Sequence, residues 1–238
     1  MTIPKIQHPT FELTVPSTQA KIKVRQMLVK EEKILLFAKS SGELPDILSA
    51  VKQVLALCIV SPSSFNIDSL ASFDIDYLFV KLRSLSVDSM AKVSYKDSED
   101  DKQYDFEINF DSLEVKFTLP PKNVIDITPT TRITMRYPEA RLYDDKKYIE
   151  LNETDRLNSM IVKCFDKYYD GDDVSDLRNE TEADLTAFLE QLDLKTYDKL
   201  IDFVTDLPKL NYVIEYTNSK GTKRSIVFDS LNDFFPLV

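Results

Sequence analysis

An internal echo constrains this chain more than any other feature. Phe110-Asp111-Ser112-Leu113 recurs as Phe228-Asp229-Ser230-Leu231. Upstream of the two copies, Val93-Ser94-Tyr95 lines up with Ile214-Glu215-Tyr216, and Leu78, Leu82 and Leu85 line up with Leu200, Val204 and Leu207. Four shared residues arise by chance, but a matched order of strand, helices and hairpin predicts duplication of one supersecondary unit. The expected fold is α+β: two related lobes, residues 1–119 and 120–238, each with helices packed on a small antiparallel sheet or hairpin. Pro120-Pro121 is the expected hinge, since paired prolines continue neither a helix nor a central strand.

Apolar spacing supplies the elements. Alternation predicts strands over Phe11–Val15 and Lys21–Met27, turning at Pro16-Ser17-Thr18. From Val29 the period lengthens. Ile34, Leu35 and Ala38, then Ile47, Leu48, Val51, Val54, Leu55 and Cys58, predict two helices split near Gly42–Pro45. A third covers Phe73–Ser86, with Ser72 as N-cap and Asp74 and Asp76 in the electropositive first turn. Strands follow at Lys92–Lys96 and Tyr104–Phe110, then Leu113–Leu119. In the second half the spacing predicts a strand at Thr131–Tyr137 and a helix over Asn152–Tyr168, its apolar face including Phe165 and Tyr168. An acidic loop at Asp170–Asp176, helices at Thr181–Leu192 and Thr196–Asp206, and a hairpin of Leu210–Thr217 with Lys223–Phe228 complete it.

Composition narrows function. A formal charge of −10 argues against a general nucleic-acid or anionic-membrane binder, both of which need clustered Lys and Arg. The acidity serves solubility, or else faces a basic partner or mimics DNA. Only Gly42, Gly171 and Gly221 are available, too few for a phosphate-cradling loop, and no nucleotide-binding glycine motif occurs. No apolar run approaches a membrane span, and Met1-Thr2-Ile3-Pro4 opens no signal peptide, so the expected location is the cytoplasm. Cys58 and Cys164 sit on apolar helical faces, as buried free thiols or as a disulfide.

Residues for chemistry are scarce. The single histidine, His8, lies in Gln7-His8-Pro9 near the N-terminus, away from any evident nucleophile. Two cysteines and one histidine do not make a zinc site. Asp166–Asp173 superficially resembles a calcium loop, but Tyr168 holds the third ligand position and Leu177 the twelfth, where a bidentate glutamate belongs. No enzyme, cofactor or metal is expected, although paired carboxylates with separated pKa values would reopen an enzymatic reading. Binding is better served. Leu231, Phe234, Phe235, Leu237 and Val238 form an apolar C-terminal tail that either folds back as a cap or projects as an anchor for a partner. Val29-Lys30-Glu31-Glu32-Lys33 is a charged helix opening whose acids suit the helix dipole without any partner.

The segments Val24-Arg25-Gln26-Met27-Leu28-Val29-Lys30-Glu31-Glu32-Lys33-Ile34-Leu35-Leu36 and Phe73–Ser86 resemble the baseplate hub family of T-even-type contractile-tailed phages. So do Cys164-Phe165-Asp166-Lys167-Tyr168-Tyr169-Asp170-Gly171, Phe188-Leu189-Glu190-Gln191-Leu192, Leu207-Pro208-Lys209-Leu210 and Leu231-Asn232-Asp233-Phe234-Phe235. The resemblance implies a chaperone-like hub assembly factor in the host cytoplasm, or a permanent subunit of the virion tail, whose partners are baseplate hub or tail proteins. An acidic inhibitor is the reading from another class. Some relatives carry paired cysteines in the hairpin loops, suggesting zinc ribbons. Here those loops, Lys96–Gln103 and Thr217–Lys223, hold none, so direct hydrophobic packing is expected to stabilise both hairpins.

Overall fold

The computed structural model describes residues 6–117 and 122–234. Pro120-Pro121, the expected hinge, lies outside the described residues, as do Phe235, Leu237 and Val238.

Strands β1 (Thr10–Thr14) and β2 (Lys21–Arg25) form an antiparallel hairpin that buries Ile22 and Val24. Helix α1 (Val29–Ser41) stops at Gly42, whose φ of 72° is the left-handed conformation that glycine adopts without strain. Helix α2 (Leu44–Cys58) restarts with proline in its first turn, and β3 (Ile59–Ser61) returns beside β2. Helix α3 (Ser72–Ser86) buries Phe73, Ile75, Leu78, Phe79, Val80 and Leu82, and none of its residues is fully exposed. Its N-cap is Ala71 and not Ser72. The Asp74 carboxylate reaches back to accept the Ala71 N–H at 3.1 Å, and holds Ser17 through its N–H at 2.9 Å and its hydroxyl at 2.5 Å. A buried carboxylate satisfies more donors there than a serine hydroxyl can. Strands β4 (Met90–Lys96) and β5 (Gln103–Asn109) pair along their full length. Among the described residues of the strand expected over Leu113–Leu119, Val115–Lys116 form β6.

The chain next builds a separate unit. Strands β7 (Val124–Asp126) and β8 (Thr131–Met135) are followed by α4 (Lys146–Glu150) and α5 (Glu153–Cys164). Strands β9 (Phe165–Asp170) and β10 (Asp173–Asp176) precede α6 (Glu182–Leu189) and α7 (Leu194–Thr205). The sheet is antiparallel in the order β10-β9-β8-β7. Ile133, Met135, Ile161, Phe165, Leu189 and Leu200 are among the residues of its core. The helix expected over 152–168 therefore ends at Cys164. Opposite β8 the register slips, with Thr134 facing Lys167 and Met135 facing Phe165, so Asp166 is a bulge. The bulge turns Phe165 and Tyr168, three residues apart, against the same Phe188 ring, at 5.8 and 5.7 Å. Spacing of three thus mimics a helical face. The acidic loop contracts to a turn at Gly171-Asp172, with Gly171 at φ 57°, and its remainder is β10.

The return is β11 (Lys209–Leu210), antiparallel to β6 with Leu210 opposite Val115. The hairpin β12 (Tyr212–Thr217) and β13 (Lys223–Phe228) and the short α8 (Leu231–Phe234) end the described chain. Compactness does not follow sequence order. Residues through Lys116 and those from Lys209 onward form one unit, and Phe117–Pro208 the other. The stretch after residue 208, expected in the second lobe, belongs to the first unit because β6 and β11 pair where the chain leaves and re-enters. Both copies of the echo lie in that unit, so they do not mark two lobes.

Burial pushes Asp76 on α3 up to about 7. A carboxyl raised in the folded state stabilises below its unfolded value and loses that contribution as pH rises through about 7. Asp76→Asn is expected to melt several degrees above the parent at pH 8 and to lose most of that advantage by pH 4, read by circular dichroism.

Candidate functional site

Three surfaces answer the sequence's candidate binding features. The first is the pair of hairpins. Ala91, Ile108, Phe110 and Leu113 pack with Leu210, Ile214 and Phe228, joined by Val80 of α3 and Phe234 of α8. The ring of Tyr216 sits 5.0 Å from Tyr104 and 5.3 Å from Phe106. At the tips the contact becomes polar. Asp97 is fully buried and accepts from the Tyr216 hydroxyl at 2.5 Å, Arg224 Nε at 3.2 Å and the Glu99 N–H at 2.7 Å. The Asn218 amide donates to Glu99 at 2.7 Å, and Asp100 accepts the Ser219 N–H and hydroxyl at 2.9 and 2.8 Å. The hydrophobic packing expected of both hairpins is present, and buried polar contacts at the tips add to it. Each turn opens with a buried Asx residue, Asp97 or Asn218, whose own turn donors and neighbours need partners away from water. The Tyr216 hydrogen bond, reinforced by turn N–H groups and the Arg224 charge, holds the Asp97 carboxyl low; burial and Asp97 push Tyr216 up to about 12.

The second surface is the tail, and the structure removes two of its residues from any exposed anchor. Leu231 is buried, and Phe234 is 1% exposed, with its ring 5.8 Å from Phe228 and 6.3 Å from Phe110. The Asp233 carboxylate fixes the turn by accepting from the N–H groups of Asp229 and Ser230. Phe234 thus caps the two echoed phenylalanines.

The third surface includes Val29 and Lys33 of the charged helix opening, but its centre, Leu36 and Phe37, was not among the sequence's candidates. Helix α1 buries Glu31, Leu35 and Ala38 and presents Val29, Leu36 and Phe37 outward, 71%, 54% and 79% exposed. Lys33 is exposed on the same side, where residues four and three apart stack. The available signal was the run Ile34-Leu35-Leu36-Phe37, which holds more apolar residues than one buried stripe can use. Glu31 explains the charged opening. Its side chain is 0% exposed, pairs with Arg25 at 2.8 Å and accepts the Leu28 N–H at 2.8 Å. Arg25 also donates to the carbonyls of Gln26 and Leu57, both at 2.9 Å, tying β2 to the end of α2. Burial alone would raise the Glu31 carboxyl, but Arg25 and the Leu28 N–H bring it below its usual range.

The remaining candidates are dispersed. His8 lies half-buried in the irregular segment before β1. Cys58 and Cys164 are buried free thiols, pushed by burial up to about 11 and about 12. Asp166 and Asp176 flank Arg178, whose hydrogen bonds draw Asp176 down to about 2. Among the described residues no cluster of His, Cys, Asp and Glu is placed to hold a metal ion, and no helix is long and apolar enough to cross a membrane.

These surfaces are those of an α+β protein in which Phe37, the most exposed aromatic side chain among the described residues, lies on a helix face. The sequence matches the family described as T4 bacteriophage base plate protein over residues 8–236, nearly the whole chain. The chain belongs to that family, as its motifs suggested, and as a baseplate protein it interacts with other baseplate proteins of the phage. No curated protein and no solved structure matches it.

Two outcomes follow from the pairs described above. Removing Arg25 leaves the buried Glu31 carboxylate with Lys30 at 3.5 Å and the Leu28 N–H, so Arg25→Met should destabilise by less than the roughly 3–5 kcal/mol of an uncompensated buried charge, with Arg25→Met/Glu31→Met recovering most of it in denaturant titrations. Asp97, lowered on folding, stabilises above its unfolded value of about 4 and loses that contribution as pH falls through the folded one. Amide exchange in β12 and β13 should therefore accelerate on acidification in the parent, and less steeply in Asp97→Asn, where the charge is absent throughout.

Proposed function

We propose that this protein is a chaperone-like assembly factor of the phage baseplate hub, and that it acts by binding and not by catalysis. The outward face of α1 carries the reading: Val29, Leu36 and Phe37 lie exposed on a helix whose other side is pinned by Glu31 and Arg25. An isolated exposed leucine needs no explanation, but an aliphatic-aromatic cluster on one rigid helix is the geometry of helix-in-groove recognition. Lys33 within the face selects a groove with an acidic group at its rim. The occupant proposed is an apolar surface of an unassembled hub or tail protein, shielded until the next subunit displaces it. Displacement requires tighter binding to the unassembled partner than to the assembled one.

Co-expression with the hub and tail proteins of the same phage tests this. One of them should be retained in stoichiometric amount by the parent. Leu36→Asp/Phe37→Asp should lose it by at least tenfold at unchanged melting temperature, because neither side chain is buried. Purified tails separate the assembly factor from a permanent hub subunit: absence from tails together with an assembly defect supports the former, and stoichiometric presence supports the latter.

A further inference from the structure

We infer that a cleft on the unit formed by Phe117–Pro208, lined by Arg136, Glu139, Arg141, Leu142, Asp145 and Lys163, receives a carboxylate side chain from an acidic segment of a partner protein. Its volume is about 310 Å³, at the bottom of the range for small-molecule pockets, roughly 300–1,000 Å³, and ample for one side chain.

The cleft is built on fixed backbone. Arg136 directly follows β8 and donates its N–H to the Cys164 carbonyl at 2.7 Å, which ties it to the end of α5. Glu139 stands between two guanidinium groups, 2.8 Å from Arg136 Nη1 and 2.6 Å from Arg141 Nε. That pairing uses one nitrogen of each arginine. Arg136 Nε remains buried without a hydrogen-bond partner, and so does the acceptor Glu139 Oε2 beside it, which makes an ion pair but no hydrogen bond with Arg141. Lys163, from α5, reaches Glu182 only at 3.4 Å. The Asp145 carboxylate is committed to the N–H of Lys147 at 2.9 Å, where it caps α4.

Counting Glu182 on Lys163, three cationic side chains meet three carboxylates, so what draws an anion here is unfilled N–H groups and not surplus positive charge. The leftover N–H groups of two planar forks suit a planar acceptor with two oxygens. A carboxylate carries a single negative charge. A phosphate near two charges would be repelled more strongly by Glu139 and Asp145. Buried Leu142 offers an apolar wall to the methylene stem of a glutamate. Membership of the baseplate family makes the source another protein of the assembly. The inference rests on that membership and not on the hub-assembly reading.

Nitrogen-15 labelling of arginine side chains in the full chain tests it, because the Arg136 Nε–H resonance reports the orphan donor directly. A blocked peptide carrying two adjacent glutamates should shift that resonance saturably, with a midpoint in the millimolar range. Arg141→Met should weaken the midpoint at least tenfold. Lys163→Met should weaken it several-fold, which keeps the test available if the arginine variant fails to fold. Lys92→Met, on β4, should leave it unchanged. The inference is overturned if no saturable shift occurs, if inorganic phosphate saturates the site while the peptide does not, or if neither cleft variant alters the midpoint. Co-purification through α1 can succeed while this titration fails, so the two readings stand or fall separately.

Discussion

The buried carboxylate of Asp97 is the contact on which the first unit depends. It receives hydrogen bonds from Tyr216, 119 residues further along the chain, and from Arg224 beyond it. A whole second unit, with its own sheet and core, is made between the two halves of that contact. Closing so long a loop costs conformational entropy before any contact forms, though the cost grows only slowly with length. The two-residue ladder of β6 with β11 joins the exit and the return and makes the excursion tolerable. Once the neck is closed, β12 and β13 can lie on β4 and β5, and Phe234 can seal Phe110 and Phe228. Nonlocal pairing of this kind slows folding relative to helical domains of similar size.

Local patterns in the sequence gave way only where a nonlocal contact intervened. The helix pair split at Gly42, the long helix α3 and both hairpins follow from spacing and turn chemistry, since each is decided within a dozen residues. The helix over 152–168 fails because Phe165 and Tyr168 owe their common direction to a bulge whose register is set by β8. Ser72 loses the cap because Asp74 answers to Ser17 on a distant turn as well as to its own helix. The echo was legible as a repeated fragment. Its meaning was not, because the order of segments does not reveal that two like hairpins belong to one core.

The candidate surface was less legible than the fold, for a related reason. The apolar tail and the apolar run on α1 carry the same chemistry, and the expected docking residues fell on the tail. Leu231 and Phe234 are buried while Leu36 and Phe37 are exposed, and only the three-dimensional neighbours distinguish them. Phe234 is claimed by a cavity between two hairpins that meet through long-range pairing. Phe37 has no such claimant because α1 already fills its inner side with Leu35, Ala38 and the Glu31–Arg25 pair.

The size and chemistry of the exposed face bear on the kind of association it supports. Val29, Leu36 and Phe37 on three turns of helix amount to one anchor, whereas permanent subunit interfaces bury far larger and more apolar areas, on the order of 2,000 Å² or more. A single anchor of that sort dissociates readily, and affinity differences between related complexes lie mostly in the rate of leaving. Lys30 is held by Glu31 at 3.5 Å, which leaves Lys33 as the cation within the face. Easy release is what an assembly factor needs, because its partner must be handed on.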